Sequence, residues 1–433
     1  MLFPMDANLV KEVKMFKLVK EVFSVRNVAV ISFTSSLYQV FNQLWNLWWS
    51  LYLLEVMNAP IFVVGLISAI QSSSQILFQL PGGVLADRIG RKKVIILGTT
   101  LRIIGPVLLF LAPTWEWVIP GMIFNAMSAL YMPAFNAIIA DSLPRERRGT
   151  AYGVYRTVTS IPNIVMPIIS GMYIDAMGLE KGVKTGLLLY IGAAILAMSL
   201  RAIFLRETLS SDDGSTTRSS VRESLGSDAK TLIGKFRGTI LVMLVVSCIS
   251  GFTMRMVYPY LVIYGVEVIG LTKSQWGALQ TIASGLMTCF YLVGGMMSDR
   301  IGRIPNILIA RSILPLESLG LVFLHGYNQL VLLFVILGIG GGFGGGGIRG
   351  GGGMGGPSWQ ALIADIVPQR DRGKVLGLMG TMTGLINLPA PIIGAYFWEA
   401  FGPEKLLLIG SGVGLTVTPL ILFLIKEPEE KAT

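Results

Sequence analysis

Residues 82–93 read GGVLADRIGRKK and residues 294–305 read GGMMSDRIGRIP, an offset of 212 positions (294 − 82). The same offset of 212 pairs Tyr52 with Tyr264, Glu55 with Glu267, Gly65 with Gly277 and Ile70 with Ile282. Further along the offset becomes 224: IIADSLPRERRGTAYG at 138–153 returns as LIADIVPQRDRGKVLG at 362–377, and the stretch NIVMPIISG opening at Asn163 returns as NLPAPIIGA opening at Asn387. A register held over about forty residues in each block means that the chain is one unit written twice, the pattern of membrane proteins whose halves are related by an axis along the membrane normal.

Composition sets the class. Over 433 residues, 53% are hydrophobic and 14% charged, and the mean hydropathy is +0.67. A soluble domain has no use for that much apolar surface, so the excess must face lipid. The net charge of +10 does not indicate a nucleic-acid partner, because Lys and Arg are interspersed with long apolar runs instead of gathering with aromatics on one module. Cys248 and Cys289 both lie in apolar runs and His325 is the lone histidine, which argues against a disulfide framework, a metal site or a resident cofactor. Lys11, Lys14, Lys17 and Lys20 interrupt the N-terminal stretch. It therefore reads as an amphipathic surface segment over residues 1–25 and not as a cleaved signal.

Runs of ~20 apolar residues, enough to cross a ~30 Å hydrocarbon core, number twelve. They lie near 28–56, 61–85, 94–112, 117–139, 150–173 and 185–204 in the first half, and near 238–264, 274–297, 306–325, 329–362, 374–398 and 405–425 in the second. The expected fold class is an all-α membrane protein of two six-helix bundles, residues 26–205 and 238–426, related by a pseudo-two-fold axis. A polar cytoplasmic linker at 206–237 joins them, and 427–433 forms a tail. Positive residues crowd the N-terminal segment, 88–93, 145–148, the linker, Arg300, Arg303 and 370–374, while the alternate connections carry only Lys181, Lys184, Lys273 and Lys405. The positive-inside rule then puts both termini and both DRIGR turns in the cytoplasm, in a multi-pass protein of the cytoplasmic membrane.

GGVLADRIGRKK resembles the loop signature of the major facilitator superfamily, G-x-L-a-D-r-x-G-r-K. With the second copy, the twelve spans and the linker, the similarity covers essentially the whole chain. The resemblance implies a secondary transporter working by alternating access and not an enzyme. It makes the turn a latch on one access state: Gly83, Asp87, Arg88, Gly90 and Arg91, with Asp299, Arg300, Gly302 and Arg303 as the partner copy. Asp87 with Arg88 and Arg91 is expected to make charge-assisted bonds that exist in only one packing of the halves. The chain departs from the family's drug–proton antiporter motifs. Gly121, Phe124 and Asn125 stand where span four usually has an arginine and a Gln-Gly pair, and span five keeps only Pro167 and Gly171 of its glycine motif.

Polar residues inside spans mark the solute path, since each is costly in lipid. Gln39, Asn42, Gln43 and Asn46 recur on one face of span one beside Trp45, Trp48 and Trp49; they either line a cavity or join helices. The 212 offset carries Gln43 onto Arg255 and Asn46 onto Tyr258 in span seven, and Arg255 is the residue expected to face solute. Gln71, Gln75 and Gln79, and also Gln280, Ser284 and Thr288, form similar stripes. Asn163 and Asn387 are expected to pin bent helices, Arg102, Arg311 and Glu317 to pair in the outer helices, and Arg156 to snorkel or join the latch. Residues 338–356, GIGGGFGGGGIRGGGGMGG, account for the twelve-residue change of offset (224 − 212). At about 1 kcal/mol per glycine the tract is expected to interrupt span ten. The substrate reading is efflux of an amphipathic organic compound by a monomer, with or without a coupling ion. Uptake or exchange of a small organic anion is the alternative.

Overall fold

The computed structural model describes residues 23–143, 148–209, 238–344 and 357–425. The N-terminal segment, most of the linker, the C-terminal tail and the side chains of Gln75, Arg156 and Asp299 lie outside the described residues. Within them the chain is helical throughout. Span one is Arg26–Asn46 continued by Trp49–Glu55, span two Ile61–Ile89 and span three Arg91–Leu111. Span four is Trp115–Met127, a tight 3-10 turn Ser128–Tyr131, then Met132–Ser142; span five is Arg148–Met177 and span six Leu179–Phe204. In the second half span seven is Thr239–Ile263 closed by a π turn Tyr264–Val268, span eight Lys273–Ile301 and span nine Arg303–Phe323. Span ten is Tyr327–Gly344 and Pro357–Ile366, span eleven Gln369–Asn387 and Ala390–Phe401, and span twelve Pro403–Leu415 and Val417–Leu424.

Helices dominate because lipid offers no partner for a free N–H or C=O, so every backbone group must be satisfied within its own segment. Exposed Phe33, Leu77, Ile203, Phe323 and Phe423 show which surfaces meet acyl chains. The turn between spans two and three bends at Gly90 with φ +100°, and its repeat partner Gly302 has φ +97°. Only glycine adopts that backbone without strain, so the two glycines shared by the DRIGR copies serve the same purpose.

Spans three and six pack within the first half and spans nine and twelve within the second. The halves meet through spans two with eleven, five with eight, and one with seven. At the end away from the DRIGR turns, labelled outer by the charge rule above, one apolar core joins both halves, running from Trp45, Trp48 and Tyr52 to Tyr260, Trp276 and Leu406. At the DRIGR end, labelled inner, each half keeps a core of its own: Val28, Val94, Ile138 and Leu205 in the first, Met243, Ile307, Leu362 and Ile421 in the second. The molecule has a shared core at one end and separate cores at the other.

Span ten corrects one expectation. The glycines at 338–344 remain helical because they are the points where neighbouring helices come closest. A Cβ on Gly338 would meet the Ala283 carbonyl oxygen at 2.8 Å, and one on Gly342 would meet Phe290 Cβ at 2.5 Å. Close packing against span eight offsets the glycine penalty. The rest of the tract, 345–356, lies outside the described residues.

Candidate functional site

At the end that bears the DRIGR turns, Arg91 and Arg303 each pair with an acid that the sequence reading did not assign. The Arg91 guanidinium is ion-paired with Asp141 at the end of span four and donates to Thr208 Oγ1 at 3.1 Å. In the second half Arg303 Nε lies 3.4 Å from Asp365 Oδ2. Arg303 follows Arg91 by 212 and Asp365 follows Asp141 by 224, so the two pairs are copies. This corrects the expected geometry, because each bond ties a turn to span four or ten of its own half and does not bridge the halves. Asp87, Arg88 and Arg300 are exposed.

Glu207, just beyond span six, fastens the same turn from below. Its Oε1 accepts the Arg91 N–H at 3.2 Å and its Oε2 the Lys92 N–H at 2.9 Å, and it also accepts the N–H groups of Thr208 and Leu209. A carboxylate on the unsatisfied amides of a helix start is favoured by hydrogen bonding and by the helix dipole together. Burial pushes the Glu207 carboxyl up, but these four N–H groups outweigh it and hold it below the usual carboxylate range. Asn27 completes the knot, its Nδ2 donating to Ser142 Oγ at 3.1 Å and its Oδ1 accepting the Arg206 N–H at 2.9 Å.

At the end away from the DRIGR turns, bonds join the two halves. Asp175, in the last turn of span five, accepts the backbone N–H groups of Lys273 and Ser274 at 3.1 and 2.7 Å, at the very start of span eight. Next to it the helices touch backbone to backbone: a Cβ on Gly171 would stand 2.3 Å from the Lys273 carbonyl oxygen, and one on Gly277 the same distance, 2.3 Å, from that of Pro167. Glu399 on span eleven accepts the Phe62 N–H of span two at 3.2 Å.

Between these ends lie the candidate solute residues. Gln43 is buried and donates to Asn163 Oδ1 of span five at 2.8 Å, while Gln39 and Asn42 are half-buried and Asn46, at the break in span one, is exposed. Trp48 donates to Ser170 at 3.1 Å, and Trp45 meets Trp49 and Tyr190 edge-on. Arg255 is half-buried, and its Nε is buried without a hydrogen-bond partner among the described residues. Successive helical residues turn by ~100°, which puts Arg255 on the side of span seven away from Val257 and Leu261. Those two line a cleft against spans nine and twelve, with Arg311, Glu317 and Ser318. Tyr258, three residues on and therefore about 60° from Arg255 around the helix, borders that cleft too.

A family model described as Major Facilitator Superfamily matches residues 30–350 and 347–433. The chain belongs to the major facilitator superfamily. It is a membrane transporter, not an enzyme. Over 372 residues it is 22% identical to the MFS-type transporter MJ1317 of Methanocaldococcus jannaschii, covering 83% of this chain and 85% of that one. It is 25% identical over 264 residues to the multi-drug resistance efflux pump PmrA of Streptococcus pneumoniae, covering 58% and 60% of the two chains. With the multidrug resistance protein MdtG of Salmonella typhi it shares 24% over 343 residues, 77% and 78% of the chains. Among solved structures the nucleoside transporter NupG superposes with a TM-score of 0.75 at 14% identity, over 92% of this chain and all 100% of that one. The D-xylose–proton symporter gives 0.68 at 14% identity, over 96% and 100%. These structures establish the fold.

As in those relatives, an all-α fold of the superfamily carries the site. Asp141 and Asp365 were visible in the sequence as the shared acid of IIAD and LIAD, but the repeat marks equivalent positions and not what they touch. Arg102, expected to pair among the outer helices, donates instead to Tyr131 Oη at 2.8 Å. It shares the Tyr38 ring with Arg201, each guanidinium carbon 5.2 Å from the centroid. Arg201 is 1% exposed and bonded to Thr34 and Thr99. Arg311 stacks over Trp359 at 5.0 Å.

Proposed function

We propose that this transporter exports amphipathic organic compounds across the cytoplasmic membrane as a monomer, with both termini in the cytoplasm, and that the conformation described here is the inward-open one. The observation that carries this reading is the single apolar core at the outer end against two separate cores at the inner end. Solute enters from the cytoplasmic side between the halves and meets the face of span one bearing Gln39, Asn42, Gln43 and Asn46, with Arg255 across from it. The efflux relatives PmrA and MdtG support the direction. The turn residues Gly83, Asp87, Arg88, Gly90 and Arg91, with Asp299, Arg300, Gly302 and Arg303, act as a latch that stabilises one access state, with Asp141 and Asp365 fixing the two turns in place.

A second reading, exchange of a small organic anion, is favoured by the buried Nε of Arg255, which has no hydrogen-bond partner among the described residues. A guanidinium at that depth needs an acceptor. Flux into and out of proteoliposomes, with a panel of amphipathic cations, neutral compounds and carboxylates and with an imposed pH gradient, separates the two. Export of amphiphiles from the cytoplasmic face supports the first reading, and carboxylate exchange supports the second.

A further inference from the structure

Glu55 is the last residue of span one, and Glu267 lies in the π turn that ends span seven. They are 212 residues apart (267 − 55), so they are the same position in the two copies of the repeat. The fold brings these equivalent carboxyls together across the pseudo-two-fold axis, where they share a side-chain hydrogen bond. An ionised carboxylate only accepts. Two ionised carboxylates in such contact would repel each other, and a proton shared between them relieves the repulsion.

Lys273, at the start of span eight, places its Nζ 4.0 Å from Glu55 Oε1, with side-chain exposures of 24% for Lys273 and 30% for Glu55. The group stands at the outer mouth and is reached by external water. With one proton the three side chains sum to zero charge; without it, one net negative charge sits in the seam. The surrounding charges are otherwise engaged. Asp175 holds the amides of span eight, Glu180 and Lys184 pair with each other at 2.8 Å, and Glu399 holds the Phe62 N–H. Glu404 faces Tyr264 on the far side of span seven.

We propose that Glu55 and Glu267 form a proton-binding site that holds the outer mouth shut, taking one proton from the external medium on closing and returning it to external water on opening. Two carboxylates in contact cannot both stay ionised without mutual repulsion, so loss of the proton drives the tips of spans one and seven apart. An acidic exterior then favours the form with its outer mouth closed. The inference rests on the inward-open reading above.

The test uses the full chain in proteoliposomes, with Cys248→Ser and Cys289→Ser removing the native thiols. Spin labels go on Lys181→Cys and Lys405→Cys, exposed and repeat-equivalent positions at the outer ends of spans six and twelve. As external pH is raised from about 5 to about 9, the short-distance population should decline, its ratio to the long-distance one falling by up to about tenfold per pH unit, the limit for one linked proton. With Glu55→Gln and Glu267→Gln together, the neutral amides can still bond each other, and the distance should stay short across the range. An invariant distance in the unaltered dyad, or the same pH response in the double variant, overturns the proposal. Solute flux is followed on the same vesicles. A pH-dependent mouth that moves no member of the panel removes the export reading and leaves the proton site standing.

Discussion

Arg91 is bonded to Asp141, an acid of its own half, and this decides what the latch can do. The bond fastens the turn between spans two and three to the end of span four, within one half. A bond of this kind stiffens one half and does not itself clamp that half to the other.

A double-mutant cycle on Arg91→Ala and Asp141→Ala should give a coupling energy of about 1 kcal/mol or less, because the side chains are 18% and 39% exposed and surface pairs are screened. The cycle on Arg303→Ala and Asp365→Ala should match it. Chemical unfolding in detergent measures both. A coupling several times larger in one half would mean that the copies are not mechanically equivalent.

Gly171→Val should open the outer seal, since its Cβ would stand 2.3 Å from the Lys273 carbonyl oxygen, a backbone atom with nowhere to go. Overpacking of this kind costs about 1–3 kcal/mol, here charged to the inward-open form alone. Labelling of a thiol at the outer end of span eight should accelerate severalfold. Gly192→Ala, whose Cβ meets nothing within 4 Å, serves as the control and should leave labelling unchanged.

Glu207 carries a pH dependence whose sign follows from its surroundings. Its carboxyl is held below the usual range in the folded protein, so its contribution is present above the unfolded carboxylate value of ~4.3 and is lost as pH falls through the folded value. Replacing a helix cap costs ~1 kcal/mol, and partial exposure reduces this further. Glu207→Gln should lower the melting temperature slightly at neutral pH and converge with the parent under acid conditions. A difference that grows on acidification contradicts this account.

Arg255→Lys keeps the charge but loses the planar fork. If solute is the acceptor that Arg255 Nε lacks among the described residues, Lys should weaken solute binding with little change in thermal stability, and Arg255→Ala should weaken it further, by about tenfold or more, as for a charged hydrogen bond worth 1.5–3 kcal/mol. Equal affinities in all three forms would move recognition to the amide face of span one.

The fold was legible in the sequence because a membrane span is written in composition, and because two matched copies of a turn define where the halves begin. Gly90 and Gly302 could be read directly, since a positive φ leaves few other residues possible. What touches what could not. The repeat projected Asn46 onto Tyr258 but carried no information on which way the side chain faces, and Tyr258 turned out to line the peripheral cleft. That the glycines at 338–344 stay helical was missed for a related reason: helix propensity counts what a glycine loses alone, whereas here the missing Cβ atoms of Gly338 and Gly342 make room for span eight and that of Gly340 for span nine. Asp141 and Asp365 sat in a repeated block that fixed register without disclosing a partner.

The central claim, that transport requires the outer seal to part, is tested most directly by locking it. Asp175 and Ser274 face each other across the seam between spans five and eight, so Asp175→Cys with Ser274→Cys, in the background lacking Cys248 and Cys289, can be joined by a short reducible thiol cross-linker. The account predicts that solute flux in proteoliposomes falls to the protein-free background on cross-linking and recovers on reduction. Undiminished flux through fully cross-linked protein would contradict it.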